Sequence, residues 1–482
     1  WLVRFDAFDD VSLINPIKNS GLPQEVGLLL EITPKLTDQS QVKYHQSASW
    51  HSAGSIFLSG YSPQDRKKLI DKSFATFKTT FGFYPRSVGA WWIDAQSLEY
   101  MQRKYDITGA LIVADQYSTD NYQIWGQYWG MPYYPTKINA LTPAQNVADR
   151  IPVVISQWAA RDPVNGYGSG VEESTYSVQA NDYIDYHQLD INYFSKLIDI
   201  YTKQPYNSYG FVVVGLENTY SWDKYQTEYG LQLQTLVDKR RSGQLSIVTL
   251  NNFNNWYIER YPNISPKQII IADDPLGTTK KTVWFMNPYY RAGWFANNEG
   301  SVVRDVRQYL PSQKELCYDT SCTSINFATF ATRVLDDVTY HQRKVIDLGP
   351  ITDLRFANNE SFDLSYKNAA GVARSVRFLP RDIALDQKIS SIDTFILEAV
   401  QTSPVTTQSG SEINGSLKQS LVGQFGRMGI FTIFVLVAFL IPGLFLTNKI
   451  FTATTPLSVR VMTSLVSGMM IFTLVSFAAG LI

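Results

Sequence analysis

Residues 87–115, SVGAWWIDAQSLEYMQRKYDITGALIVAD, hold the repeating unit of the fold twice over. An apolar run, 87–93, ends at Asp94. A helical stretch over 94–104 follows, and a second apolar run, 109–114, ends at Asp115. The runs are apolar throughout rather than alternating. That pattern suits strands buried on both faces, as in a parallel sheet.

The unit recurs on both sides of this stretch. Runs at 2–5 (LVRF), 26–30 (VGLLL) and 151–156 (IPVVIS) end at Asp6, Glu31 and Gln157. Runs at 211–216 (FVVVGL) and 245–250 (LSIVTL) end at Glu217 and Asn251, and a weaker one lies at 55–58. A helix opens at Ser62 and Pro63: Ser62 can cap it, Pro63 suits its first turn, and Asp65 complements its dipole. Further helices are expected at 190–203 and 223–241, each led by an aspartate. Seven or eight strands with intervening helices predict an α/β fold, a (β/α)7-type barrel over 1–262. In such a barrel the C-terminal ends of the strands build the site. That end is where Asp6, Glu31, Asp94, Asp115, Gln157 and Glu217 are expected.

Past the barrel the pattern changes to short runs with turn residues between them. Residues 263–400 therefore read as an all-β sandwich. Residues 401–424, rich in Ser, Thr, Gln and Gly, read as a flexible stalk. Residues 425–482 read as two transmembrane helices, because 428–446 and 461–482 contain no charge. Lys449 and Arg460 lie between them with no acid, so the 447–460 loop is expected in the cytoplasm and the N-terminal domains outside it. The lipid bilayer is then a partner. Cys317 and Cys322, spaced C-x4-C, read as a local disulfide.

Composition narrows the function. Among 482 residues, Lys and Arg number 42 and Asp and Glu 43, a net charge of −1. That balance argues against a nucleic-acid partner, which requires a basic face. Neither a G-x-G-x-x-G nor a P-loop motif occurs, so a phosphate-cradling loop is not indicated. The absence of G-x-S-x-G makes a serine hydrolase built on that elbow an unattractive reading. Aromatic residues make up 14%, and Trp and Tyr crowd two long loops. Residues 114–135 (ADQYSTDNYQIWGQYWGMPYYP) contribute Asp115, Asp120, Trp125 and Trp129; residues 157–163 (QWAARDP) contribute Gln157, Trp158 and Asp162. Flat aromatic faces stack on sugar rings, and acids and amides bind hydroxyls. With Glu31, these are the expected binding residues for a carbohydrate polymer.

Residues 58–94 (LSGYSPQDRKKLIDKSFATFKTTFGFYPRSVGAWWID) resemble the middle of polysaccharide deacetylases. Residues 210–222 (GFVVVGLENTYSW) are similar to the late strand of family 57 and family 38 glycoside hydrolases. These groups share a superfamily of (β/α)7 barrels. The hydrolase resemblance implies a nucleophile after the fourth strand and an acid/base after the seventh. Counting runs places Asp94 and Glu217 there, although the family 57 nucleophile is a Glu. Two carboxylates suffice for that chemistry and no cofactor is needed. The deacetylase resemblance implies a divalent metal such as zinc, for which Asp6, Asp10, His45 and His51 are the candidate ligands. His45 and His51 stand six apart, not in the H-x-x-x-H spacing of that family. A third reading keeps the barrel only to bind glycans, without catalysis.

Overall fold

In the computed structural model the described residues are 1–402, other than 48, 50, 51, 118–122, 218–220, 323–333, 348 and 360. Five of the expected runs form strands: β1 (Leu2–Arg4), β2 (Gly27–Leu29), β3 (Ser87–Gly89), β4 (Gly109–Val113) and, after a hairpin of β5 (Pro135–Thr136) and β6 (Asn139–Pro143), β7 (Val154–Trp158). They pair in parallel in the order β1-β2-β3-β4-β7, with Leu28 opposite Val88 and Ala110 opposite Ile155. All four of these side chains are fully buried, which explains why the runs carry no polar alternation.

Local chemistry places the helices beside them. Ser62 Oγ accepts from the amide of Asp65 and caps the helix Pro63–Phe81, which ends at Gly82 with φ +86°. That left-handed ending favours glycine. Asp94 caps the helix Ala95–Tyr105 by accepting from the Ser97 amide.

The barrel does not close. Tyr133 and Ile155 exchange both backbone hydrogen bonds, at 3.1 and 2.9 Å. The outer edge of β7 is thereby taken by the 116–150 loop, and the run 211–216 cannot ladder onto it. That run and 245–250 form no strand, and Ile247 and Val248 are 52% and 56% exposed. The weak run at 55–58 is helical instead, spanning the end of Ala53–Ile56 and the turn Leu58–Gly60. The fold is mixed α/β with several sheets, one of them a partial parallel sheet, rather than a (β/α)7-type barrel with an appended sandwich and membrane helices.

Two antiparallel sheets follow. One joins β8 (Gln268–Asp273), β9 (Lys281–Asn287), β10 (Tyr290–Asn297), β11 (Gly300–Gln308), β12 (Val334–Asp336) and β13 (Lys344–Asp347). The other is a meander of β14 (Thr352–Asn358), β15 (Phe362–Lys367), β16 (Ala373–Phe378), β17 (Asp382–Leu385) and β18 (Lys388–Ser391). They share a core in which Phe285 stacks on Phe378 at 5.2 Å. Ile392, Phe395 and Ile396 of the helix Ile392–Thr402 join it.

A buried ionic network ties the first antiparallel sheet to the parallel one. Arg291 on β10 forks onto Asp305 of β11 at 2.9 and 3.0 Å and reaches Asp115, just past β4, at 2.5 Å. Arg307 bonds Asp305 and Asp336. Trp125 Nε1 donates to Asp336 at 3.1 Å, and the Arg291 guanidinium lies 5.6 and 5.4 Å from the Trp125 and Trp284 ring centres. Burial, only partly offset by Arg291, pushes the Asp115 carboxyl up to about 6. Burial opposes the charge on Asp305 too, but Arg291 and Arg307 together hold it below the ordinary carboxylate range.

The expected membrane anchor is corrected. Among the described residues no helix is long and apolar enough to cross a membrane. The longest, Trp222–Arg241, carries charges along its length, from Asp223 and Lys224 to Lys239, Arg240 and Arg241. The segments 428–446 and 461–482, the 447–460 loop and the stalk from 403 lie outside the described residues. An anchored chain with its N-terminal part outside the cytoplasm therefore has no structural support.

Arg291→Met leaves Asp115 and Asp305 short of a partner, and is expected to lower the unfolding free energy by about 3–5 kcal/mol. Arg291→Lys keeps the charge but loses the planar fork, and its loss should be smaller. Urea unfolding measures both; a loss below about 1 kcal/mol for the methionine variant would show the network to be dispensable.

Candidate active site

The five parallel strands point their C-terminal ends the same way, and the expected site residues at that end fall into two groups. The first is sealed. Asp94 has no exposed surface; its Oδ1 accepts from Arg66 at 3.1 Å and the Ser97 amide at 2.9 Å, and its Oδ2 from the Ser97 hydroxyl. Arg66 is buried as well, and also donates to the carbonyls of Tyr61, Ser59, Cys317 and Thr320. Asp94 is thus a helix cap and an ion-pair partner. Asp115 belongs to the network with Arg291. Gln157 turns its amide to the carbonyls of Tyr128 and Met131 at 2.6 and 3.2 Å, pinning the loop whose Tyr133 covers the β7 edge. Asp162 accepts from the amides of Val164 and Asn165, from the Asn165 side chain and from the Tyr193 hydroxyl. Trp125 and Trp129 are 1% exposed, and Trp129 stacks on Trp284 at 4.3 Å. These aromatic rings fill the seam between the sheets instead of lining an open cleft. Asp120 lies outside the described residues.

The second group is accessible. Trp158, the last residue of β7, donates from Nε1 to Glu217 Oε1 at 3.3 Å, and Gln179 Nε2 reaches the same oxygen at 3.5 Å. Both residues contact one oxygen and so orient the carboxylate. Gly215 packs close to the Trp158 ring; a Cβ there would fall 2.8 Å from two ring carbons. The indole is therefore held in place by the backbone that carries Glu217. On the other side of the sheet, Arg4 forks onto Asp6 and reaches Glu31 at 3.3 Å. The Glu31 side chain is 13% exposed. Burial, only partly offset by Arg4, raises its carboxyl above the ordinary range. Trp91, half-buried, follows β3 at the same end.

Gln179, Arg4 and Trp91 were not among the expected site residues. Arg4 had a signal: a cation inside the apolar run LVRF, two residues before an acid. Gln179 had none, since its place beside Glu217 depends on a helix and a loop that meet only in the folded chain.

Of the metal ligands expected for a deacetylase, the three among the described residues, Asp6, Asp10 and His45, do not come together. Asp6 is engaged by Arg4, and Asp10 caps the helix Val11–Asn19 through the amides of Ser12 and Leu13. His45 sets Nδ1 3.1 Å from the Gly54 carbonyl and stacks on Tyr61 at 4.4 Å. His51 lies outside the described residues. Among the described residues no three His, Cys, Asp or Glu side chains form a group that could hold a metal ion. Cys317 and Cys322 form the expected disulfide.

Comparison with known proteins adds two similarities. Residues 56–274 match the model of a domain family of unknown function with a solved structure, DUF3863. A solved structure from Parabacteroides distasonis, provisionally assigned as a glycoside hydrolase/deacetylase, superposes with a TM-score of 0.49. That superposition spans 67% of this chain and 82% of the other, at 15% identity. No curated protein matches the chain.

Asp94→Asn removes the charge facing buried Arg66, and is expected to cost about 3 kcal/mol of stability. Glu217→Gln changes an accessible group and should stay within about 0.5 kcal/mol of wild type. Thermal and urea unfolding of the two variants checks this contrast; equal losses would refute it.

Proposed function

We infer that the chain is a carbohydrate-active enzyme, a glycoside hydrolase working with carboxylates at the open end of the parallel sheet. The observation that carries the reading is Glu217 held by Trp158 and Gln179 at the end of β7. Glycoside hydrolysis requires one carboxylate that stays ionised and one carboxylic acid that keeps its proton. Glu217 is assigned the first role, as nucleophile or base. Glu31, whose proton is retained to higher pH by burial, is assigned the second. Trp158 and Trp91 offer ring faces for sugar stacking. Asp94 acts from behind, keeping Arg66 and the start of the following helix in position, and does not touch substrate.

This assignment needs no metal. Asp6, Asp10 and His45 are occupied in the ways described and do not fit a shared ion.

Glu217→Gln is expected to lower kcat on a cleaved glycan by about 10²–10⁴-fold. Unchanged turnover would sink the assignment. For Glu31 the sign follows from its raised pKa. The protonated acid persists above the usual carboxylate range, so activity should fall as pH rises through that raised value. Glu31→Gln should abolish this alkaline limb together with most of the activity; a profile that keeps the limb would remove Glu31 from the role.

A further inference from the structure

Beside the seam between the two parts of the chain, the first antiparallel sheet carries a cleft of about 410 Å³. Four cations line it, Lys280, Lys281, Arg304 and Arg343, against two acids, Glu299 and Asp347. Asp273 and Asp337, just outside the lining, pair with two of the cations, so the cleft carries no net excess of charge and what distinguishes it is which cations stay open to a ligand. The cations differ in how they are held. Lys281 pairs with Asp273. Lys280 contacts only the amide oxygen of Asn165, at 3.2 Å, and has no carboxylate partner among the described residues.

Arg304 is the best prepared of the four. Its Nε donates to Asp337 at 2.7 Å. Its guanidinium lies 4.9 and 4.8 Å from the ring centres of Tyr167 and Phe295, and Phe295 also lines the cleft. A carboxylate behind it and two rings around it restrict the side chain before any ligand arrives. Its two terminal amino groups meet no protein acceptor among the described residues. A restrained guanidinium with open donors matches the paired oxygens of a carboxylate or sulfate. The cleft also falls within the size range of small-ligand sites.

We propose that this cleft is a second glycan-binding site, taking an anionic saccharide that bears carboxylate or sulfate groups. The choice of a saccharide rests on the carbohydrate reading of the sheet mouth; the choice of an anion rests on the cleft alone. Arg304 forms the paired contact, and Lys280 neutralises a neighbouring group.

The test is titration calorimetry on the full chain with an oligogalacturonate, a sulfated oligosaccharide and an uncharged oligosaccharide of equal length. At least one acidic ligand should bind, more weakly as salt rises, and the uncharged one should not. Lys280→Ala should weaken binding several-fold with an unchanged melting temperature, since the group is exposed. Arg304→Lys, which keeps the charge, should also weaken it. Affinity untouched by these variants, equal binding of the uncharged ligand, or inorganic sulfate binding as tightly as the oligosaccharide would each overturn the proposal. Glycan cleavage, followed in parallel with Glu217→Gln, separates the two readings. Cleavage without cleft binding refutes only this site, whereas cleft binding with no cleavage supports it and counts against the hydrolase.

Discussion

The Arg291 guanidinium is the constraint around which the rest of the molecule is arranged. A cation with no exposed surface cannot stay buried without matching charge and donors satisfied in place. Asp305 supplies the first half of that match from the neighbouring strand, and Asp115 supplies the second from the end of β4. The pairing cannot be completed within either sheet. It therefore draws the antiparallel layer onto the parallel one, and Trp125, Trp129 and Trp284 close over the charges. Replacing such a network by apolar packing can be neutral or better for stability. What the ions add is position: few other placements of the two sheets satisfy every group.

Position is also what the accessible end of the parallel sheet depends on. Glu217 is oriented by an indole that its own segment packs against, and Glu31 shares one arginine with Asp6. Burial, only partly offset by Arg4, raises the Glu31 carboxyl above the ordinary range.

Much of the parallel sheet was legible in the sequence because its signal is local. Runs such as 109–113 announce a strand buried on both faces, and Ser62 and Asp94 announce helix starts. The closed barrel was not legible, because the fate of 211–216 was decided elsewhere. Tyr133 occupies the edge that this run required, and nothing within the run itself reveals that competitor. The aromatic loop was misread for a related reason. A tryptophan that stacks on a sugar and one that fills a seam look alike in sequence; Trp125 and Trp129 differ from Trp158 only in what lies opposite them, which comes from residues beyond 280. β11 held an overlooked signal, since Asp305 and Arg307 sit two apart among Val302, Val303 and Val306.

The long reach of Arg66 has a consequence for the order in which the chain can assemble. Its partners include the carbonyls of Cys317 and Thr320, about 250 residues downstream, and the Asp94 helix start is further secured by Glu315 accepting from the Ala95 amide. During synthesis, the parallel sheet emerges well before the segments that satisfy its buried groups. Until residue 320 has left the ribosome, Arg66 lacks those acceptors and Asp115 has only lately met Arg291. The N-terminal half therefore waits in an incomplete state, its charges still hydrated, and final compaction belongs to a late step that joins distant parts of the chain.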